Sequence, residues 1–298
     1  MCIHMQPPGV SFVRSAYLRC LQALGRRLTV GVNVFEYDWD VLVVLDACRV
    51  DLMRSVAPEV GVLGPIETIR SVGSSSSEWL EGTFHDRPET AKTAMVTGNT
   101  WTDRYLTPES FALLDEVWKY AWDEELGTVP PDAVTDRAVA VARDDSPDRL
   151  VAHYMQPHHP FIPQPLAGDD GMARSSVESS DSNPWVLLRR GELSKEEVWA
   201  AYEANLRYVL PYVEQLIENV SGRVVITADH ANLFGEWGLY GHPMQVPVPA
   251  LVTVPWIVCE GGDQTSYSPS LTPPEEPPIE HIHGAEPAHD RLRALGYR

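Results

Sequence analysis

Residues 224–232 read Val-Val-Ile-Thr-Ala-Asp-His-Ala-Asn, an apolar run that ends in two ligand-type side chains, Asp229 and His230. A second run, residues 41–45, has the same character and is followed directly by Asp46. Short β-branched runs of this kind are typical of strands buried in a parallel sheet. Because open α/β sheets bind ligands at the carboxyl ends of their strands, we expect the three side chains near one edge. Their O/O/N set suits one divalent metal ion, which we expect to be Zn, Mn, Ca or Mg.

The rest of the pattern indicates an α/β fold. Further strand-like runs occur at residues 66–70, 93–97, 150–155, 223–227 and 250–258. Helical patterns separate several of them, and the clearest two cover residues 131–143 and a longer segment that ends near Val220. Pro131 suits the first position of the former, and Ser194 is a good N-cap for the latter. The alternation predicts a mostly parallel central sheet with helices on both faces.

A serine-rich turn offers a nucleophile. Residues 73–80 read Gly-Ser-Ser-Ser-Ser-Glu-Trp-Leu, so small residues lead into a short helix. Backbone N–H groups at a helix start can face an anion, and a hydroxyl placed there can be activated by a metal. Taken by itself, however, such a run more often only caps a helix.

Three histidines lie at the end of the run 150–155, namely His153, His158 and His159. Prolines flank two of them and fix the turn. Their chemistry fits metal ligands, general acids or anion contacts. A lone histidine is usually structural, but three at one strand end favour a functional role.

Taken in order, these segments resemble the alkaline phosphatase superfamily, in its sulfatase-like branch. The ordered motifs are Asp-Ala-x-Arg-x-Asp after a strand, a small-residue turn with a hydroxyl, Pro-His-x-Pro, and Thr-Ala-Asp-His with Gly-Glu-x-Gly-x-x-Gly-His. They cover about residues 38–258, and the closing Arg-Ala-Leu-Gly-Tyr is also similar to the end of many members. The last long motif is the most specific of them.

The resemblance implies roles at the matching positions. Asp46, Asp229 and His230 correspond to the metal ligands, and Ser76 best matches the nucleophile, with Ser75 as the alternative. His158 and His242 would complete the catalytic set, where they would stabilise the anion or protonate the leaving group. The substrate contacts that we expect are Asn99, Arg49 and His153.

Departures from the family pattern restrict the chemistry. Sulfatases carry Cys/Ser-x-Pro-x-Arg, whose first residue is oxidised to formylglycine, whereas Ser76 is followed by Ser-Glu-Trp-Leu. Formylglycine is therefore not expected. Ala47 follows Asp46 where sulfatases commonly pair two acids, and no Asp-x-x-x-His motif precedes Asp229. One metal is therefore expected rather than two.

These observations predict a metal-dependent hydrolase of phosphate, phosphonate or sulfate esters that uses a serine nucleophile. Two alternatives remain. One is a phosphotransferase that moves a phospho-alcohol group to a glycan or lipid acceptor. The other, of a different class, is a non-catalytic metal-binding scaffold. A small-molecule, glycan or lipid ester is the expected partner.

Composition excludes other classes. The 42 acidic residues outnumber the 23 basic ones and give a formal charge of −19, so a nucleic-acid partner is disfavoured. Four cysteines without a CxxC pair favour neither a disulfide scaffold nor a zinc finger. The sequence predicts no membrane-spanning stretch and no secretory signal, so the expected location is cytoplasmic.

The chain divides into an N-terminal segment, residues 1–35, and a single catalytic domain, residues 36–298. The first 35 residues contain no acid but four arginines, and their apolar spacing predicts a basic amphipathic helix. Such a helix either docks on the main domain, which is the commoner case, or contacts a membrane surface through residues 10–28. Within the domain, residues 163–193 are expected to be a loop or lid, and residues 261–287 a proline-rich surface crossing.

The acidity, with only three lysines, predicts adaptation to high salt; an acidic protein from a GC-rich genome is the alternative. Screening shortens charge repulsion from about 30 Å at 0.01 M salt to about 3 Å at 1 M. We therefore expect the melting temperature to rise from dilute buffer to molar salt. Thermal melts followed by circular dichroism measure this, and a melting temperature indifferent to salt would contradict the adaptation.

Overall fold

The structure is a computed structural model that describes residues 8–27, 31–61, 63–169 and 183–275. Much of the predicted lid, residues 170–182, and the end of the proline-rich crossing, from residue 276, lie outside the described residues. The part of the predicted lid that follows residue 182 contains a helix, Pro184–Arg190, where only a polar loop was expected. Asn183 caps this helix, because its side chain accepts a hydrogen bond from the N–H of Val186.

A seven-stranded sheet forms the centre of the fold. The described strands are β1 Val41–Leu45, β2 Ile66–Arg70, β3 Thr93–Thr97, β4 Leu113–Glu116, β5 Arg149–Tyr154, β6 Gly222–Thr227, β7 Leu233–Phe234, β8 Tyr240–Gly241 and β9 Thr253–Gly261. Their order in the central sheet is β2-β9-β6-β1-β5-β3-β4, and β7 and β8 pair separately. Six of the seven strands run in the same direction, and only β9 is reversed, since it pairs antiparallel with both β6 and β2. The predicted α/β class with a mostly parallel sheet is confirmed.

The helices are α1 Pro8–Gly25, α2 Val50–Val56, α3 Ser76–Phe84, α4 Thr102–Tyr105, α5 Pro131–Asp144, α6 Pro184–Arg190, α7 Lys195–Ile217 and α8 Pro249–Val252. The two helices expected from periodicity match α5 and α7. Ser194 caps α7 through a reciprocal pair of hydrogen bonds with Glu197, which satisfies N–H groups that the first turn leaves free. None of the described helices is long and apolar enough to cross a membrane.

The position of β1 explains where the polar side chains meet. β1 lies between β5 and β6, and Val44 is opposite both His153 and Thr227. Asp46 comes two residues after Val44, and Asp229 comes two residues after Thr227. Both acids therefore meet His153 at the carboxyl edge of the sheet. This is the edge at which open α/β sheets bind ligands.

A strained turn fixes Asp46. Ala47, the next residue, has a φ of 59°, a left-handed conformation that residues other than glycine rarely adopt. Its N–H donates to Asp229 Oδ1 at 2.9 Å, and its carbonyl accepts a hydrogen bond from the Tyr202 hydroxyl. Strain of this kind persists only where neighbours hold it, so β6 and α7 together set the direction of Asp46.

Candidate active site

Two carboxylates and two imidazoles converge in the core. His153 Nε2 lies 3.6 Å from Asp46 Oδ2 and 4.0 Å from Asp229 Oδ2. His230 Nε2 lies 3.8 Å from Asp46 Oδ1 and 3.4 Å from Asp229 Oδ2. All four residues are buried to 1% exposure or less. The fold thus brings together the three predicted ligands and adds His153.

Several polar atoms in this group have no hydrogen-bond partner. They are Asp46 Oδ1, Asp229 Oδ2 and both ring nitrogens of His153. Burial raises the pKa of Asp229, and the adjacent charge of Asp46 raises it further. Buried polar groups are normally satisfied, and two desolvated carboxylates repel each other.

A divalent cation would resolve this conflict. Asp46, His153 and Asp229 offer ligand atoms that lie within 4.8 Å of one another. His230 adds a further nitrogen, because its Nδ1 donates to the carbonyl of Ala231 at 2.9 Å and leaves Nε2 facing the carboxylates. The residues fit a metal of mixed oxygen and nitrogen preference.

Ser76 is the serine whose hydroxyl faces this group. Its Oγ lies 3.2 Å from Asp46 Oδ2 and 3.3 Å from His230 Nε2, in the first turn of α3. Ser75 Oγ is instead paired with Ser77 Oγ at 3.1 Å. Gly73 makes the tight turn feasible, because a Cβ there would lie 2.5 Å from the backbone nitrogen of Trp79. The geometry favours Ser76 over Ser75 as the nucleophile.

Asn99 orients a carboxylate in this structure, which differs from the predicted substrate contact. Its Nδ2 donates to Asp46 Oδ2 at 2.8 Å, and its Oδ1 accepts from the N–H of Trp101 at 2.9 Å. The side chain is 1% exposed. Both ends of the amide are therefore occupied by the protein itself, and Asn99 orients Asp46.

Replacing Asn99 by alanine is expected to weaken metal binding about 10- to 100-fold, since partners that orient ligands contribute that much. Isothermal titration of the metal-free protein with Zn²⁺ or Mn²⁺ measures the change. Asn219→Ala is the matched control, because Asn219 is a fully buried asparagine that contacts Ser266 and Tyr267 instead. Equal affinities in the two variants would contradict the orienting role.

His158 and His242 lie beside the group. The His242 ring is 4.6 Å from that of His230 and 5.0 Å from that of His158. Burial lowers the pKa of His158 to about 4, and it also lowers the pKa of His242 well below its usual value. Nδ1 of His158 donates to the carbonyl of His159, and Nδ1 of His242 donates to Asn232 Oδ1.

These hydrogen bonds leave Nε2 of both rings as proton acceptors near neutral pH. The geometry therefore favours proton acceptance by His158 and His242 over the two roles expected from sequence, anion contact and protonation of the leaving group. Asn232, which fixes the tautomer of His242, was not foreseen, because nothing in the local pattern distinguishes it from a turn residue.

Arg49 also differs from the expected substrate contact. Its guanidinium donates two hydrogen bonds to Asp51, at 2.8 and 2.7 Å, one to Glu236 at 2.9 Å and one to the carbonyl of Asn232 at 2.6 Å. It is therefore engaged with the protein and supports the segment that carries His242. The ion pair with Glu236 was not foreseen, because Glu236 is far from Arg49 in sequence, and the substrate contact stays a prediction.

Comparison with known proteins supports the fold. No protein-family model matches the chain, and no curated protein matches it in sequence. The structure is similar to the soluble domain of lipooligosaccharide phosphoethanolamine transferase A from Neisseria meningitidis, with TM-score 0.50 and 14% identity over 78% of this chain and 79% of that one.

It is also similar to the integral membrane protein lipooligosaccharide phosphoethanolamine transferase A (EptA) from the same organism, with TM-score 0.52 and 15% identity over 78% of this chain. The match spans 49% of that protein, about half of its length. At these identities the likeness concerns the fold, which is the alkaline phosphatase-like, sulfatase-like fold that the sequence motifs resemble.

Proposed function

We propose that this protein is a metal-dependent enzyme that cleaves phosphate esters through a covalent phosphoserine at Ser76. One observation carries the proposal. A hydroxyl in the first turn of a helix lies within 3.3 Å of both a carboxylate and an imidazole of a buried group with unsatisfied ligand atoms. A structural serine run has no need of such partners.

Asp46, Asp229 and His230 would hold the cation, with His153 as a further nitrogen ligand. When bound, a divalent cation lowers the pKa of a nearby hydroxyl and neutralises developing negative charge on phosphoryl oxygens. The remaining steps belong to side chains of the protein.

Ser76 Oγ is the attacking atom. Its proton passes to Asp46 Oδ2, which lies within hydrogen-bond distance, since Asp46 Oδ1 and His230 Nε2 are the atoms that would hold the cation. A bond forms between Oγ and phosphorus, and the bond from phosphorus to the leaving oxygen breaks. Ser76 lies in the first turn of α3, and the N-terminus of a helix favours negative charge.

The phosphoserine is then resolved by an oxygen nucleophile. His158 and His242, both held as neutral acceptors, can take the proton of that nucleophile. Water would give hydrolysis, and an alcohol would give transfer of the phosphoryl or phospho-alcohol group. The absence of the Pro and Arg that follow a formylglycine site favours phosphate or phosphonate esters over sulfate esters.

Transfer to an alcohol is the second candidate function. The two structures with this fold described above are named as phosphoethanolamine transferases, and this resemblance favours an alcohol acceptor. A non-catalytic scaffold is the alternative that the proposal must exclude.

A burst experiment separates these candidates. The purified protein, loaded with Zn²⁺ or Mn²⁺, is mixed with each of four p-nitrophenyl substrates. They are a phosphate monoester, a phosphate diester, a phosphonate ester and a sulfate ester. We expect a stoichiometric burst of nitrophenol from a phosphorus ester, followed by a slower phase. Acceleration of that slower phase by added glycerol, with glycerol phosphate as product, would identify a transferase. No burst with any ester would establish the scaffold.

A further inference from the structure

The large apolar side chains that are exposed lie in two segments of the described chain. They are Tyr17, Leu24 and Val32 near the N-terminus, and Trp237 and Met244 between β7 and α8, with exposed fractions between 41% and 55%. Scattered exposed apolar residues need no explanation, whereas a concentration of them marks an interaction surface.

The two segments are in contact with each other. Leu21 of α1 packs in a cluster with Leu233, Leu239 and Val246. Gln22 Nε2 donates to the carbonyl of Met244 at 3.3 Å, and a Cβ on Gly25 would overlap the carbonyl of Gln245. The helix is therefore docked through one face, as the commoner alternative expected, and leaves Tyr17 and Leu24 in solvent. We call Tyr17, Leu24, Val32, Trp237 and Met244 the apolar rim.

The apolar rim adjoins the candidate active site. His242 is two residues from Met244 in the chain. The N–H of Val246 donates to Ser74 Oγ at 3.2 Å, and Ser74 Oγ donates to the carbonyl of Pro243 at the same distance. Ser74 is two residues from Ser76. A series of contacts therefore connects α1, through residues 243–246 and Ser74, to the candidate nucleophile. The apolar rim and the candidate active site are therefore linked through residues 242–246 and Ser74.

The charge on the α1 side of the apolar rim is positive, whereas the whole chain has a formal charge of −19. Arg19 on α1 and Arg26 and Arg27 directly after it are exposed, and all 42 acidic residues of the chain come after residue 35. Basic residues on a helix with exposed apolar side chains are typical of attachment to anionic lipid. Exposed Trp and Tyr are the side chains that favour the interfacial region of a bilayer.

We propose that the apolar rim and the exposed arginines of α1 dock this protein on the surface of an anionic bilayer. The protein would then lie on the membrane through α1, with its candidate active site facing the lipid headgroups. Its substrate or acceptor would be a membrane lipid. That last step rests on the proposed function, whereas the docking itself does not.

The test measures binding of the full chain to protein-free vesicles. Phosphatidylcholine vesicles with and without phosphatidylglycerol are sedimented with the protein at low and at high salt. We expect binding to the anionic vesicles only, and weaker binding at high salt because the attraction is screened. The double variant Tyr17→Ser/Leu24→Ser should bind the anionic vesicles at least about tenfold more weakly, because it loses apolar area that would be buried.

Charge variants give a matched comparison. Arg19→Glu/Arg26→Glu should abolish vesicle binding, whereas Arg54→Glu/Arg190→Glu changes the net charge equally on other helices and should not. Circular dichroism melts establish that each variant is folded, and a soluble nitrophenyl ester reports the site independently of docking. Binding that is absent, equal on neutral vesicles or unchanged in Tyr17→Ser/Leu24→Ser overturns the proposal. So does a dimer, seen by light scattering, that buries this surface instead.

Discussion

Replacing Ser76 by alanine is expected to reduce turnover by a factor on the order of 10⁴ or more, because the covalent route is lost while binding groups remain. The bound metal should stay, since Asp46, Asp229 and the histidines are unchanged. Steady-state rates with the best nitrophenyl ester and metal analysis of the same sample measure both quantities.

Ser75→Ala is the matched control for Ser76→Ala. Ser75 Oγ is paired with Ser77 rather than with the carboxylate, so this variant should keep most of its activity. Intact-mass and peptide analysis of the native protein, trapped with substrate by acid quench, should place a phosphate on Ser76. An adduct on Ser75 would move the nucleophile by one residue, and an aldehyde at either position would replace the phosphoryl mechanism by that of a sulfatase.

Replacing Asp229 by alanine is expected to remove the metal. Asp229 Oδ2 is one of the unsatisfied atoms of the buried group, and its other oxygen holds the N–H groups of Ala47 and His230 at 2.9 and 2.8 Å. The variant therefore loses a ligand and also the hydrogen bonds that set the direction of its neighbours. Metal content after dialysis, measured by mass spectrometry, should fall from one equivalent to none.

Asp229→Asn and Asp136→Asn make this experiment specific. Asn at 229 preserves an acceptor for the two N–H groups and so separates the lost ligand from disturbed folding. Asp136 is a buried aspartate that accepts hydrogen bonds from Tyr267 and from the N–H groups of Ser270 and Leu271, away from the candidate active site. Its variant should keep the metal. Stoichiometric metal in the Asp229→Ala protein would contradict the ligand assignment.

Local signals predicted two strands that build the site. β1 and β3 were expected at the residues where they occur, because a short run rich in apolar or β-branched residues with polar flanks favours a buried strand. β4 was missed, since its four residues, Leu-Leu-Asp-Glu, include two acids and show no clear alternation. The antiparallel direction of β9 was not predicted either, because direction depends on the connection and not on the strand itself.

Side-chain roles were harder to predict than positions. Asn99 and His153 were expected to contact substrate, but Asn99 donates to Asp46 and His153 lies between the two carboxylates. Which residue faces a metal and which stands behind it depends on register between β1, β3 and β5. That register is a property of long-range pairing, so a motif with correct chemistry can still leave the role open.

The central place of β1 also determines when the site can exist during synthesis. Both neighbours of β1 come from much later in the chain, and Ala47 and Asp229, which share a hydrogen bond, are 182 residues apart. At 5–20 residues per second, β1 waits on the order of ten seconds or more for its last partner. Contacts of such high sequence separation form late in folding. The nascent chain therefore carries Asp46 and Ser76 without an assembled site until β6 and Asp229 have been synthesised.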